Sequence, residues 1–218
     1  MTILITAGPT REAIDPVRFI SNRSSGKMGY AIAQAASEAG HKVILVSGPT
    51  PIDVPDRVDY IPVESTQEMY EAVEHWIGEA RIAIFTAAVA DYRPAEVHEQ
   101  KIKKTAETMT MEMVRNPDIL GSARNPFGFT GILVGFAAET SDLENNAQAK
   151  LERKGCDLVV ANDVSRSDIG FDSNENECVL VYPDRQQRLP KGSKQHLGHI
   201  IMEHAVELAT SGNTDKFS

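Results

Sequence analysis

The stretch Ser21-Asn22-Arg23-Ser24-Ser25-Gly26-Lys27 gathers hydroxyls, a flexible backbone and a cation just ahead of an alanine-rich run. That combination suits an anion: hydroxyls and glycine N–H groups donate, lysine supplies charge, and a helix amino end adds a favourable dipole. Two common anion loops fail on spacing. A P-loop needs G-x-x-x-x-G-K-[ST], yet Ser21 stands five before Gly26 and Met28 follows Lys27, so the first glycine and the metal-binding hydroxyl are both missing. A dinucleotide fingerprint needs G-x-G-x-x-G at a strand-to-helix turn, where this chain has Gly8-Pro9-Thr10-Arg11-Glu12-Ala13. On these residues alone two readings stay open for Ser24, Ser25, Gly26 and Lys27: a seat for a small phosphate, or a serine cap on a helix beside a solvated lysine.

Other residues carry chemistry with a plain alternative beside it. Lys101, Lys103 and Lys104 form a run in an otherwise acidic chain, which is either a solvated face or a counter-charge. Lys150 and Lys154 stand four apart, so on one helix they repel slightly unless an anion lies between them. Arg18 offers a planar fork to phosphate or carboxylate, and Asn22 is a turn residue or a neutral donor. His196, His199 and His204 lack a consistent i, i+4 pair, so no metal site is expected on them. Cys156 and Cys178 have no CxxC spacing and read as small buried hydrophobes. A short-chain-like reductase would need Tyr-x-x-x-Lys, and none of the 5 tyrosines has lysine four residues later.

The elements that must position these residues follow from periodicity. Strands are expected at Thr2 to Ala7, Lys42 to Gly48, Arg81 to Ala87, Gly131 to Ala137 and Asp157 to Asn162. Helices are expected at Met28 to Gly40, Thr66 to Glu79, near Asn116, and at about Asp142 to Lys154. This alternation predicts an α/β, Rossmann-like, doubly wound and mainly parallel sheet. Two runs joined by Asp184-Arg185 predict a C-terminal β-hairpin extension before a closing helix from about Ser193 to Thr210. One domain is expected over 1–210, with 211–218 a frayed tail. About twenty residues separate the first strand from its helix, where two to six are usual, so that loop is the place to look for function.

Composition narrows the partners. The 218 residues, 41% hydrophobic, suffice for one sizeable core, and a formal charge of -9 argues against nucleic-acid or anionic-membrane surfaces. No apolar run approaches the roughly 20 residues of a membrane span. Met1 leads directly into a strand rather than a leader pattern, so a reducing cytoplasm is expected.

The whole opening segment, GPTREAIDPVRFISNRSSGKMG from Gly8 to Gly29, resembles that of bacterial phosphopantothenoylcysteine synthetase. Further matches follow in order: AAVADYRP (Ala87 to Pro94), KIKK (Lys101 to Lys104), NPDIL (Asn116 to Leu120), GFAAET (Gly135 to Thr140) and ANDV (Ala161 to Val164). The resemblance implies a ligase of coenzyme A biosynthesis. In it, 4'-phosphopantothenate and CTP give an acyl-cytidylate and pyrophosphate, and L-cysteine then displaces CMP to form an amide. It implies Mg²⁺ held mainly by the triphosphate, no flavin in this chain, a homodimer, and possible fusion or association with a flavin-dependent decarboxylase. Residue by residue it assigns catalysis to Arg18, Asn22 and Lys101, the last on a mobile segment that contacts the nucleotide. CTP contacts are carried to Thr86, Ala87, Asp91, Lys101, Pro117, Asp118, Ile119, Leu120, Phe136, Lys150 and Lys154. The opening cluster Ser24 to Lys27 then holds the phosphate of phosphopantothenate. A non-catalytic nucleotide-binding module is the alternative, and it would be expected to lack Asn22 or Lys101.

Overall fold

The computed structural model describes residues 1–104, 107–139, 141–163 and 173–211. In chain order these form β1 (Thr2–Ala7), β2 (Arg11–Ala13), β3 (Phe19–Ser21), α1 (Lys27–Glu38), β4 (Lys42–Ser47) and β5 (Val58–Pro62). There follow α2 (Thr66–Trp76), β6 (Ile82–Phe85), β7 (Tyr92–Pro94), β8 (Met113–Arg115), α3 (Ile119–Ser122) and β9 (Ile132–Glu139). The chain continues through α4 (Leu143–Lys154), β10 (Leu158–Asp163), β11 (Glu175–Val181), β12 (Gln186–Ser193) and α5 (Lys194–Ser211).

An 8-stranded sheet runs in the order β12-β11-β10-β9-β6-β1-β4-β5. Six of its strands are parallel to their neighbours, and the hairpin β11–β12 closes one end antiparallel. The alternation along β1 shows how both faces are filled. Ile3 and Ile5 join the layer of α1 and α5, with Ile32, Leu197 and Ile201, while Leu4 joins the layer of α2, α3 and α4, with Met69, Ile119 and Leu151. All of these side chains are nearly or wholly excluded from solvent. Burying each contributes about 1.5 to 3 kcal/mol, which is what makes the strand register definite.

The doubly wound expectation therefore holds, with differences in detail, among them a ribbon of β7 against β8 paired from Tyr92↔Arg115 to Pro94↔Met113. Val58–Pro62 is an edge strand, unexpected because its residues are exposed or only partly buried without alternation and end in proline. The long first loop folds back as a ribbon, β2 against β3, paired from Arg11↔Ser21 to Ala13↔Phe19. The helix expected near Asn116 is a single turn, α3, capped by the Asp118 side chain accepting from Gly121 N–H at 2.9 Å. The tail expected to fray, and Val164 and Thr140 of the quoted motifs, lie outside the described residues apart from Ser211, which ends α5.

Candidate active site

After β1 the chain turns to β4 on one side, and after β5 it crosses to β6 on the other, so the loops following β1 and β6 diverge at a topological switch point. These loops are stitched together. Thr86 donates its hydroxyl to Thr6 O at 2.7 Å. Ala88 N–H donates to Gly8 O at 2.9 Å, and Asn22 Nδ2 donates to Val89 O at 2.8 Å. Beneath them lies a buried polar network. Thr66 donates to Glu12 Oε1 through its hydroxyl at 2.6 Å and its N–H at 3.0 Å, and Ala90 N–H donates to Thr10 Oγ1 at 3.0 Å. Asn116 Nδ2 donates to Ala90 O at 2.8 Å. A satisfied buried network of this kind rigidifies the loop backbone it binds.

Two cavities open over this junction. The first, about 460 Å³, is lined by Asn22, by Ser24 to Lys27, and by Thr86 across from them. The second, about 790 Å³, is lined by Asn116 to Leu120 at the start of α3 and by Lys154. Ala87, Val89, Asp91, Phe136 and Lys150 line both, so the two halves meet over the ends of β6 and β9. Gly26 makes the first wall possible: at φ 76° it sits in the left-handed region, and a Cβ there would lie 2.7 Å from Thr50 Cγ2. It leads into α1 with no side-chain cap.

Local charge reverses that of the chain. Arg23, Lys27, Lys150 and Lys194 line the first cavity against Asp91, and Arg115, Lys150, Arg153 and Lys154 line the second against Asp91 and Asp118. An acidic protein thus presents a cationic cleft, the condition for meeting polyanions locally. Lys150 donates from Nζ to Phe136 O at 2.5 Å, and its burial lowers its pKa from the ordinary lysine value. Lys154 pairs with Asp118. Burial raises the Asp118 carboxyl, but the Lys154 hydrogen bond, the Gly121 N–H and nearby positive charge outweigh it, leaving a net lowering.

Most of the residues singled out in the sequence converge here. Asn22, Ser24, Ser25, Gly26, Lys27 and Thr86 line the first cavity. Pro117, Asp118, Ile119, Leu120 and Lys154 line the second, while Ala87, Asp91, Phe136 and Lys150 face both. Arg18 and Lys101 line neither of these cavities. Arg18 is bound to Asp15, and β3 lies extended between Arg18 and Asn22, a path of about 13 Å for four residues.

Sequence reading missed Asn162, Asn176 and Lys194 on the far wall of the first cavity. Asn176 and Lys194 are buried polar groups, and Asn162 Oδ1 is a buried side-chain oxygen without a hydrogen-bond partner among the described residues. They come from β10, β11 and the first residue of α5; Asn162 lies within the ANDV motif, which carried a signal for it, whereas no local spacing marks Asn176 or Lys194. Cys156 and Cys178 are buried, and burial pushes their thiols up to about 11 and about 12, the behaviour of small hydrophobes. His204 Nδ1 lies 2.9 Å from Tyr182 OH, and His199 pairs with Glu38. Among the described residues no helix is long and apolar enough to cross a membrane.

The fold and cleft define a Rossmann-like α/β domain with a two-part cationic site at the carboxyl ends of its strands. Residues 1–208 match the family described as DNA/pantothenate metabolism flavoprotein C-terminal domain, and the chain belongs to that family. It is 52% identical over 209 residues to the coenzyme A biosynthesis bifunctional protein CoaBC of Vibrio vulnificus (strain YJ016), covering 95% of this chain and 52% of that one. With the protein of the same name from Escherichia coli (strain K12) it shares 46% identity over 209 residues, 94% of this chain and 52% of that one. The chain spans about half the length of the curated relatives it matches. A crystal structure of the C-terminal domain of coenzyme A biosynthesis bifunctional protein CoaBC superposes with a TM-score of 0.81 at 42% identity, covering 95% of each chain.

Proposed function

We propose that this chain is a CTP-dependent phosphopantothenate-cysteine ligase, joining 4'-phosphopantothenate to L-cysteine through a 4'-phosphopantothenoyl-CMP intermediate, with release of pyrophosphate and then CMP. One observation carries the reading: two polar cavities with separate cationic ends share a middle wall of Ala87, Val89, Asp91, Phe136 and Lys150. A ligase that activates an acid with a nucleotide needs that arrangement, since two polyanions must bind apart while their reacting atoms meet. The relatives' names place them in coenzyme A biosynthesis, and the sequence motifs match the synthetase in order.

In this reading the nucleotide occupies the larger cavity. Lys150 and Lys154 meet its phosphates, and backbone groups from Pro117 to Leu120 meet the base. Phosphopantothenate occupies the smaller one, with its phosphate at Ser24 to Lys27 and its carboxylate toward Ala87 and Asn22. The amide of Asn22 serves the acyl-cytidylate, both directly and by holding the Ala88–Val89 carbonyls in place. Mg²⁺ travels with the triphosphate. Among the described residues no group of three or more His, Cys, Asp or Glu gathers to hold a metal, while Asp91 and Asp118 line the nucleotide cavity. One or two carboxylates beside substrate phosphates is the usual protein share of an Mg²⁺ site, so these residues fit the ion.

The chain would work in the cytoplasm as a homodimer, alongside or fused to a flavin-dependent decarboxylase. The test of the activity is pyrophosphate release from CTP and phosphopantothenate with and without cysteine. Release without cysteine, followed by amide formation when cysteine is added, is expected. No release with either omission or addition would reject the ligase and favour a nucleotide-binding module. Sedimentation at micromolar concentration checks the dimer, and a fully active monomer would reject it.

A further inference from the structure

Residues 95–104 carry Lys101 along the surface, and every one of them is exposed except Ile102, which is partly buried. Ala95 N–H ties the start of this strap to Glu112 O at 2.9 Å, and among the described residues three further hydrogen bonds seat its remainder on the turn between β2 and β3. His98 N–H donates to Ile14 O at 3.0 Å. Ile102 N–H donates to Asp15 Oδ2 at 3.1 Å, and Arg18 Nη2 donates to Ile102 O at 3.2 Å. Both backbone polar groups of Ile102 are therefore held by one Asp–Arg pair.

Asp15 is built for more than a turn. Its Oδ1 accepts from the N–H groups of Val17 and Arg18, both at 2.9 Å, and this alone would complete the turn. Its Oδ2 takes Arg18 Nε at 3.0 Å and Nη2 at 2.5 Å as well as Ile102 N–H. The residue is only 3% exposed, and a buried carboxylate is retained only where charge and hydrogen bonds satisfy it. The Arg18 hydrogen bond holds its carboxyl well below the usual carboxylate range, so the charged latch persists at neutral and mildly acid pH. The same ribbon ends at Ser21, next to Asn22 in the first cavity, so the latch and the cleft share one rigid element.

We propose that Asp15 and Arg18 are positioning residues that fix the Lys101 strap relative to the nucleotide cavity, and that Arg18 serves the reaction through Lys101 rather than by touching substrate. The proposal rests on the ligase reading together with the nucleotide contact that the family resemblance implies for Lys101, which in this structure lines neither cavity. It assigns Asp15 a role, and it explains why Arg18 sits one strand away from Asn22 instead of beside it.

The test uses the full chain and two readouts. Without ligands, Asp15→Asn should speed amide exchange at Ile102 by about tenfold or more, as expected for loss of a hydrogen bond to a charged group, while amides of β1 keep their protection. In pyrophosphate release from CTP and phosphopantothenate, Asp15→Asn should slow the reaction. Asp15→Asn combined with Lys101→Ala should be no slower than Lys101→Ala alone, because both act through one lysine. Ile102→Pro removes the donor from the strap side, fixing φ there and restricting Lys101 as well, and leaves Asp15 and Arg18 unaltered, so it should reproduce the loss even if Asp15→Asn folds poorly. Unchanged exchange at Ile102, additive losses in the double variant, or a fully active Ile102→Pro would each overturn the proposal. A wild-type chain that releases no pyrophosphate would reject the ligase reading, and the latch would then stand or fall on the Ile102 exchange.

Discussion

Asn22 donates its side-chain amide to the carbonyl oxygen of Val89 at 2.8 Å, and by that bond the loop after β1 holds the loop after β6 in place over the cleft. A second contact reaches Ala88 O at 3.4 Å.

Asn22→Asp replaces this donor with a carboxylate facing two carbonyl oxygens. In the ligase reading, pyrophosphate release should persist while amide formation from the acyl-cytidylate falls by about 10²-fold, the usual effect of losing one donor at a reacting carbonyl. Single-turnover assays with labelled phosphopantothenate separate the two steps. Equal losses in both would reject this division of labour.

Ser24→Ala with Ser25→Ala addresses the opening cluster. A phosphate at the far end of the pantothenate arm contributes positioning more than transition-state stabilisation. The double variant should raise KM for phosphopantothenate by the equivalent of about 1 to 3 kcal/mol, with KM for CTP little changed. The difference should shrink when pantothenate without its phosphate is compared. A weaker CTP interaction with unchanged phosphopantothenate would assign the cluster to the nucleotide instead.

Lys150 sets a pH dependence. A lysine is charged below its folded pKa, and burial places that of Lys150 below the ordinary 10.5, so its charge is lost sooner as pH rises. The kcat/KM for CTP, which reports the free enzyme, should therefore fall at an alkaline pH lower than an ordinary lysine would give. Lys150→Arg keeps its charge through that window and should flatten the alkaline limb. An identical limb in wild type and variant would exclude Lys150 as the group responsible.

Gly29 tests how tightly α1 is docked against the sheet. A Cβ at this position would lie 2.4 Å from Thr86 Oγ1 and 2.6 Å from Ala7 Cβ. Gly29→Ala should destabilise the fold by about 1 to 3 kcal/mol through overpacking. Each kcal/mol lowers Tm by about 2 to 4 °C in a chain of this size. A melting scan showing no shift would mean that α1 can move away from the strand ends without cost.

Much of this protein was legible in the chain itself. Alternating Ile3, Leu4 and Ile5 declare a strand buried on both faces, and the strand-helix alternation that follows admits few topologies once crossovers are right-handed. Motif order pointed to the residues of both cavity walls, because Ser24 to Lys27 and Asn116 to Leu120 are contiguous runs at helix starts. Local chemistry is enough for such runs.

Only the tertiary structure decided what meets what. Asn162, Asn176 and Lys194 come from three elements at the antiparallel end of the sheet and converge on a cavity whose other wall is built by residues 22–29. No periodicity encodes that convergence. The ribbon β2–β3 was read as open loop, because its three-residue strands are too short for alternation to register and its pairing is enforced by buried partners such as Thr66 on Glu12. Arg18 and Asn22, four residues apart in sequence, are both assigned to catalysis by the family resemblance. An extended strand carries the backbone about 3.3 Å per residue, and that geometry sends one to the strap and the other to the cleft.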